Sequence, residues 1–491
     1  MSLLKIVNGK NPRQIAARIL QQRRAEGGFI EDLLENALAG AQFSPADRGL
    51  CQEIVYGAVR WQATLDWLIA RKTDGRPQKP MLQILLRLGL YQIFWLDRIP
   101  GHAAVNETVE LARQNGFGAQ AGFMNAVLRG FLREADATRK LLADLKISRP
   151  ALGWSHPEWL VARWQKRWGV ERSTQLLAWN NTPPKTFARV NTLKFREGRR
   201  VGVPNQIEKS GTATRHPSQC ETLLEKWREE GVEYDFVRSG GRQTAAFLAE
   251  IESPGFLPKA NTLENLVFEL KSHPPLASLE SFRQGWFYIQ DPSTLLAPCT
   301  LGAQPGETIL DLCAAPGGKT TFIAQLMNNQ GRIVAMDNSR ERLKLLEENC
   351  ARLGATCVEP VLPSTLNSLP GQSGATTGQP STAFDRILVD APCSNTGVMR
   401  RRVDLRWRVQ PKEIQRLSRL QFDLLRQAAA KLKPGGVLVY STCSLEPEEN
   451  QEVVKEFLTE HTYFTLDFER ELLPFADGVD GAFVERLKHS T

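Results

Sequence analysis

One stretch limits what this chain can become more than any other: Thr308 to Asp337, TILDLCAAPGGKTTFIAQLMNNQGRIVAMD. An apolar run (Ile309, Leu310, Leu312) leads into Ala-Ala-Pro-Gly-Gly, a segment of helical pattern follows, and a second apolar run ends on Asp337. That order predicts a strand, a tight glycine turn, a helix, and a second strand with a carboxylate at its tip. In a βαβ unit of this kind the backbone comes close to a ligand at the turn, and an acid about 20 residues on can hydrogen-bond a ribose. Two look-alikes fail on spacing. Gly318-Lys319-Thr320 mimics the end of a phosphate-binding P-loop, but Cys313 stands where that motif needs its first glycine. The G-x-G-x-x-G dinucleotide pattern is also missing. What remains is a cradle for a nucleoside-type cofactor, or an ordinary βα turn in an α/β core.

Downstream, strands and helices keep alternating. A helix is expected over Ser339–Leu353, a strand near Cys357–Leu362, a strand over Phe384–Asp390, a helix from about Pro411 to Leu432, and a strand over Val437–Thr442, with Pro434-Gly435-Gly436 punctuating the last pair. Such alternation gives a doubly wound α/β domain, whose mostly parallel sheet carries ligands beyond the strands' C-terminal ends. Upstream the pattern differs. Residues 12 to about 135 read as helices throughout. Pro12 opens the first, Ser44 caps the next with Pro45 at its first position, and Leu50, Ile54, Val55, Val59 and Leu65 form an apolar stripe. A connector carrying Trp164 and Trp168 follows, then a small α+β segment ending in a strand near Trp286–Ile289. The expected domains are therefore 1–135 (all-α), 136–290 (connector and small α+β) and 291–491 (doubly wound α/β). Polar insertions are expected near 196–220 and 371–383.

The formal charge of +8 makes an anionic partner plausible, and residues 1–140 carry 19 Lys/Arg against 13 Asp/Glu. An RNA-facing surface and a merely solvated helical bundle both fit that excess. No signal-peptide core is present, and the most apolar segment, Met81–Leu96, is broken by Gln83, Arg87 and Gln92. The eight cysteines lack C-x-x-C pairing, which argues against structural zinc and a secreted disulfide framework. The expectation is a cytoplasmic monomer with no metal and no membrane contact.

Two of those cysteines fall just past predicted strands: Cys393 after Ile387–Asp390, and Cys443 after Val439–Thr442. In a parallel sheet both tips reach the crevice that holds Asp311 and Asp337. A lone cysteine is usually a small buried hydrophobe; two in matching positions, one beside Asp390, point to chemistry.

Together these motifs carry a resemblance. Leu310–Thr320 (LDLCAAPGGKT), Asp390–Ser394 (DAPCS) and Ser441–Ser444 (STCS) resemble the RNA cytosine-C5 methyltransferases that use S-adenosylmethionine. Glu53–Arg60 (EIVYGAVR), Phe123–Arg129 (FMNAVLR), Ser155–Trp159 (SHPEW) and Arg189–Leu193 (RVNTL) resemble the bacterial Sun/Fmu (RsmB) branch, which has a NusB-like RNA-binding domain. The resemblance implies a Rossmann-like catalytic domain and methylation of a cytosine in small-subunit (16S) ribosomal RNA. A tRNA or large-subunit rRNA cytosine, and a non-catalytic assembly factor, are the alternatives; intact Cys393 and Cys443 speak against the last.

The resemblance also implies roles. Cys443 is the nucleophile, Cys393 assists product release, Asp390 contacts the cytosine, and Lys319 lies in the active site. The cofactor falls to Asp311, Cys313, Ala314, Ala315, Pro316, Gly317, Gly318 and Lys319, with Asp337 at the ribose and Arg342, Ser364 and Asp390 completing the set. Relatives usually carry an acid after the third strand, where this chain has Ser364. Where relatives tend to show His/Asn-Pro-Asp, it has Arg402-Val403-Asp404. The run Arg400, Arg401, Arg402, Arg406 and Arg408 is expected to be either a phosphate track or a solvated face.

Overall fold

A computed structural model of the chain describes residues 11–197, 219–237, 242–251, 266–366 and 384–490. The insertion expected near 196–220, apart from its ends, and the whole 371–383 loop lie outside the described residues. The chain forms two compact units, Met1–Pro183 with Met399–Arg408, and Pro184–Val398 with Val409–Thr491.

The first unit is helical. Asn11 caps the helix Pro12–Glu26 by accepting from the Arg13 amide, and Ser44 caps Pro45–Arg60 by accepting from the Asp47 amide. The apolar stripe expected over Leu50–Leu65 is shared between two helices, because the chain breaks at Trp61 before Gln62–Lys72. Pro80–Trp95 is buried on most of its surface and lies so close to Pro45–Arg60 that a Cβ on Gly57 would fall inside the Tyr91 ring.

Met399–Arg408 belongs to this unit by packing. Val403 is fully buried among the helices, Trp407 donates to the Val59 carbonyl (2.9 Å), and Arg400 lies over the Trp179 ring (4.0 Å). Arg406 is fully buried and donates to the carbonyls of Arg60, Ser155 and Asn180 and to Asn181 Oδ1. Burial pulls its guanidinium pKa well down; the four acceptors take hydrogen bonds from its two terminal nitrogens, while Nε has no partner. At Arg400 and Arg406, both buried, the run is thus neither a solvated face nor a phosphate track, whereas Arg402 is exposed.

In the second unit β1 (Thr186–Val190), β2 (Glu233–Phe236), β3 (Val267–Ser272) and β4 (Phe287–Ile289) form an antiparallel sheet in the order β2-β3-β1-β4. Buried Arg189 on β1 donates to Thr321 Oγ1 and Gln325 Oε1 (3.1 Å each), joining this sheet to the helix Gly318–Leu326.

The larger sheet contains β5 (Thr308–Leu312), β6 (Arg332–Met336), β7 (Val358–Val361), β8 (Phe384–Asp390), β9 (Leu432–Thr442), β10 (Phe464–Leu472) and β11 (Ala482–His489). Its order is β10-β11-β9-β8-β5-β6-β7. Strands β5 to β9 run parallel, and the β10–β11 hairpin adds antiparallel to β9. The sequence pattern did not anticipate that hairpin, nor that Pro434-Gly435-Gly436 lies within β9, as an irregularity between the Leu432 and Val437 pairings. Side chains alternate between two buried layers: Ile309, Leu388 and Val439 pack with Phe322 and Ile323, while Leu310, Val389 and Leu438 pack with Leu424 and Leu425. At roughly 1.5–3 kcal/mol per buried large side chain, those layers fix the strand register. The same register puts Asp311, Asp390 and Ser441 on one face. Strand order reverses between β5 and β8, so the crevice beyond their C-terminal ends is the topological switch point.

Candidate active site

After β5 the backbone turns through Cys313, at φ +61°, and Gly317, at φ +102°, before the helix Gly318–Leu326 begins. A side chain at Gly317 would be strained at that φ. The turn is held from both sides, since the Ala314 amide donates to the Met336 carbonyl (2.8 Å) and the Gly317 amide to the Ala314 carbonyl (2.9 Å). Asp311, almost wholly buried, accepts from Thr320 Oγ1 (2.6 Å) on the helix. Its other oxygen has no hydrogen-bond partner, and burial pushes its pKa up to about 7. Asp337, buried at the tip of β6, accepts from the Ser339 amide through Oδ1, while Oδ2 lies 3.4 Å from an Arg342 nitrogen and makes no hydrogen bond. Arg342 also donates to the Ala315 carbonyl (2.5 Å), bracing the glycine turn against β6.

Two buried, partly unsatisfied carboxylates flanking a backbone turn fit a ligand that brings a cationic group and hydroxyl donors. Cys313 is an inert thiol by comparison, pushed up to about 12 by burial. Ser364 is exposed on the short helix Pro363–Leu366 just past β7.

Across the switch point Lys319 donates to Asp390 Oδ2 (2.6 Å), and Ser441 Oγ donates to Asp390 Oδ1 (3.1 Å). Burial alone would lower the Lys319 pKa; the charge and hydrogen bond of Asp390 outweigh it, so the net shift is upward and the ammonium is retained. The two strand-tip cysteines meet: Cys393 Sγ and Cys443 Sγ are 3.4 Å apart. The hydrogen bond to Cys443 and then burial raise the Cys393 pKa well above the usual thiol range, so Cys393 stays protonated. The Cys443 thiol donates to Asn395 Oδ1 (2.9 Å), and Asn395 Nδ2 donates to the Cys393 carbonyl (2.7 Å). The loops also touch through backbone, where the Gly397 amide donates to the Cys443 carbonyl (2.9 Å). A Cβ on Gly397 would stand 2.8 Å from that same carbonyl oxygen.

Three family models match the chain. A model for the 16S rRNA methyltransferase RsmB/F matches residues 298–487, the NusB family model matches 10–133, and an RsmF/B-like ferredoxin-like domain model matches 156–224. The chain is 32% identical to the "probable ribosomal RNA small subunit methyltransferase B" of Bacillus subtilis (strain 168), over 96% of this chain and 97% of that one. It is 33% identical to the ribosomal RNA small subunit methyltransferase B of Escherichia coli O1:K1 / APEC, over 97% and 98%.

The chain belongs to the RsmB/F methyltransferase family.

The crystal structure of PH0851 shares the fold along nearly the full length, with TM-score 0.69 and 23% identity over 98% of this chain and 99% of that one. This RsmB/F member has the expected N-terminal NusB domain and C-terminal Rossmann-like domain, and the connector, expected only as small α+β, is ferredoxin-like. Sequence reasoning brought Lys319, Asp390, Cys393 and Cys443 to this crevice and missed the polar residues that hold them. Those are Asn395, which accepts from Cys443, Ser441, which donates to Asp390, and the buried Glu449 and Gln421, which bond the Ser394 amide and the Pro392 carbonyl beside Cys393. The acidic run Glu446–Asn450 so soon after Cys443 was a signal for Glu449 alone. Among the described residues, no helix is long and apolar enough to cross a membrane.

Proposed function

We propose that this protein transfers a methyl group from S-adenosylmethionine to C5 of a cytosine in 16S ribosomal RNA, through a covalent adduct between Cys443 and C6. The observation that carries this reading is the 3.4 Å approach of Cys393 Sγ to Cys443 Sγ beside the Lys319–Asp390 pair at the switch point. Ribosomal RNA as substrate is supported by the names of the relatives, which are small-subunit rRNA methyltransferases.

C5 of cytosine is a weak nucleophile. When the Cys443 thiolate adds to C6, the C5=C6 electron pair becomes available at C5, which can then accept a methyl group. Loss of the C5 proton to solvent water lets the C5–H electron pair re-form C5=C6 as the C6–S bond breaks and the Cys443 thiolate leaves. Cys393, protonated at rest and beside that sulfur, assists release by donating its thiol proton toward the departing thiolate instead of attacking. Asp390 takes the N3/N4 edge of the base, and Lys319, hydrogen-bonded to Asp390, supplies positive charge as the ring becomes electron-rich. S-adenosylmethionine, when bound, supplies the electrophilic methyl group. Asp311 and the backbone of Cys313, Ala314, Ala315, Pro316, Gly317 and Gly318 would hold its amino-acid end, and Asp337 its ribose. Arg342 braces the turn, and Ser364 lies nearest the place where relatives carry an acid for the adenine. Residues 1–135 and 136–290 serve RNA binding and 291–491 catalysis, in a cytoplasmic monomer that takes its cytosine single-stranded or flipped out.

Bisulfite mapping of RNA from cells lacking the protein tests this. One 16S cytosine is expected to lose its resistance to conversion. If every 16S cytosine is unchanged the reading fails, and a loss confined to tRNA or large-subunit rRNA would establish the alternative substrate.

A further inference from the structure

Glu449 lies outside the three motifs that define the site, yet it is fully buried beneath both cysteines. It sits in the turn Pro447–Glu449, six residues after Cys443. One of its oxygens accepts from the Ser394 amide (2.8 Å) and from Gln421 Nε2 (3.2 Å). The other accepts from the hydroxyls of Ser394 and Ser444. Ser394 directly follows Cys393 and Ser444 directly follows Cys443. A single carboxylate therefore ties together the residues next to the two sulfurs. Gln421 adds a third strut, because its Nε2 also donates to the Pro392 carbonyl (2.9 Å). Around this cluster Tyr440 donates to the Glu449 carbonyl, and Asn450 bridges Thr442 and the Ser444 carbonyl.

A buried carboxylate with this many donors is costly to build and holds its partners tightly, because any donor that leaves strands charge in a dry site. The tip of a lone strand has no such constraint. Asn395 alone would fix the loops less firmly, being only partly buried. We infer that Glu449 is a positioning residue: its carboxylate clamps the Cys393 and Cys443 loops through Ser394 and Ser444 and sets the sulfur–sulfur separation that the two-cysteine reaction needs. This rests on the cytosine-C5 reading of the site, with the clamp as a separate claim about geometry.

Two measurements on the full-length protein separate the claims. The first is steady-state methylation of transcribed 16S rRNA. Glu449→Gln keeps the shape but loses the charge and one acceptor, and kcat is expected to fall about 10- to 100-fold, the scale of a misplacement near 1 Å, with KM for RNA and for S-adenosylmethionine within about two-fold. The second uses phenylarsine oxide, whose arsenic bonds two thiols held at about this pair's separation, counting only the binding lost in Cys393→Ser. Glu449→Gln is expected to weaken that binding about ten-fold, since the thiols are no longer preorganised. Should Glu449→Gln fail to fold, Ser394→Ala and Ser444→Ala each release one loop and are expected to show the same kcat loss and arsenical weakening. Unchanged kcat, a loss confined to KM, or unchanged arsenical binding in a folded variant overturns the clamp. If the wild type does not methylate RNA at all, the cytosine reading fails, while the arsenical arm still decides on Glu449.

Discussion

Asp311 shows how burial turns one side chain into a pH-sensitive binding group. Its carboxyl is raised to about 7, chiefly by desolvation, with one oxygen lacking a partner. The folded pKa lies above the unfolded one, so Asp311 favours the folded state at low pH. That advantage is lost as pH rises from about 4 to 7, by up to about 4 kcal/mol. A ligand ammonium favours the ionised form. S-adenosylmethionine affinity, measured by calorimetry, is therefore expected to rise with pH up to about 7 and then level off, with Asp311→Asn weaker and flat across that window. Asp311, Lys319, Asp390, Cys393 and Cys443 were legible because strand tips in a parallel sheet converge. Asn395 was not, because its contact with Cys443 depends on a left-handed backbone at φ +59° that only the folded loop displays.

Among the elements, the β5–helix–β6 unit was readable from its continuous apolar runs and paired glycines, and its ends fall within a residue of those expected. The β10–β11 hairpin was not readable. At the sheet edge β10 needs to bury little, so its Asp467, Glu469, Arg470 and Glu471 hide the strand period. The burial of Arg406 was not readable for another reason. The partners of Arg406 are mostly backbone carbonyls hundreds of residues away, and a carbonyl has no sequence signature. At this scale Gly397 makes the sharpest prediction. Its added Cβ would meet backbone on two sides, the carbonyls of Gly481 (2.7 Å) and Cys443 (2.8 Å), which cannot rotate away. Gly397→Ala is expected to cost about 1–3 kcal/mol in urea unfolding and to lower kcat by separating the cysteine loops. An unchanged kcat would mean that the close approach serves folding alone.

Over the whole molecule, the order of an all-α part, a connector and an α/β domain was visible in the switch from helical periodicity to βα alternation. The membership of Met399–Arg408 in the helical unit was not, since it follows from packing by Val403, Arg406 and Trp407. Arg406→Ala would leave the carbonyls of Arg60 and Asn180 without their donor. It is expected to destabilise the protein by about 3 kcal/mol, read as a lower unfolding midpoint. The central claim, that Cys443 attacks and Cys393 releases, has one direct readout. Incubated with 16S rRNA and S-adenosylmethionine, Cys393→Ala is expected to accumulate an RNA–protein adduct stable on a denaturing gel, and the double variant Cys393→Ala/Cys443→Ser to form none. No shifted band from Cys393→Ala, or a band that survives loss of Cys443, would contradict the account.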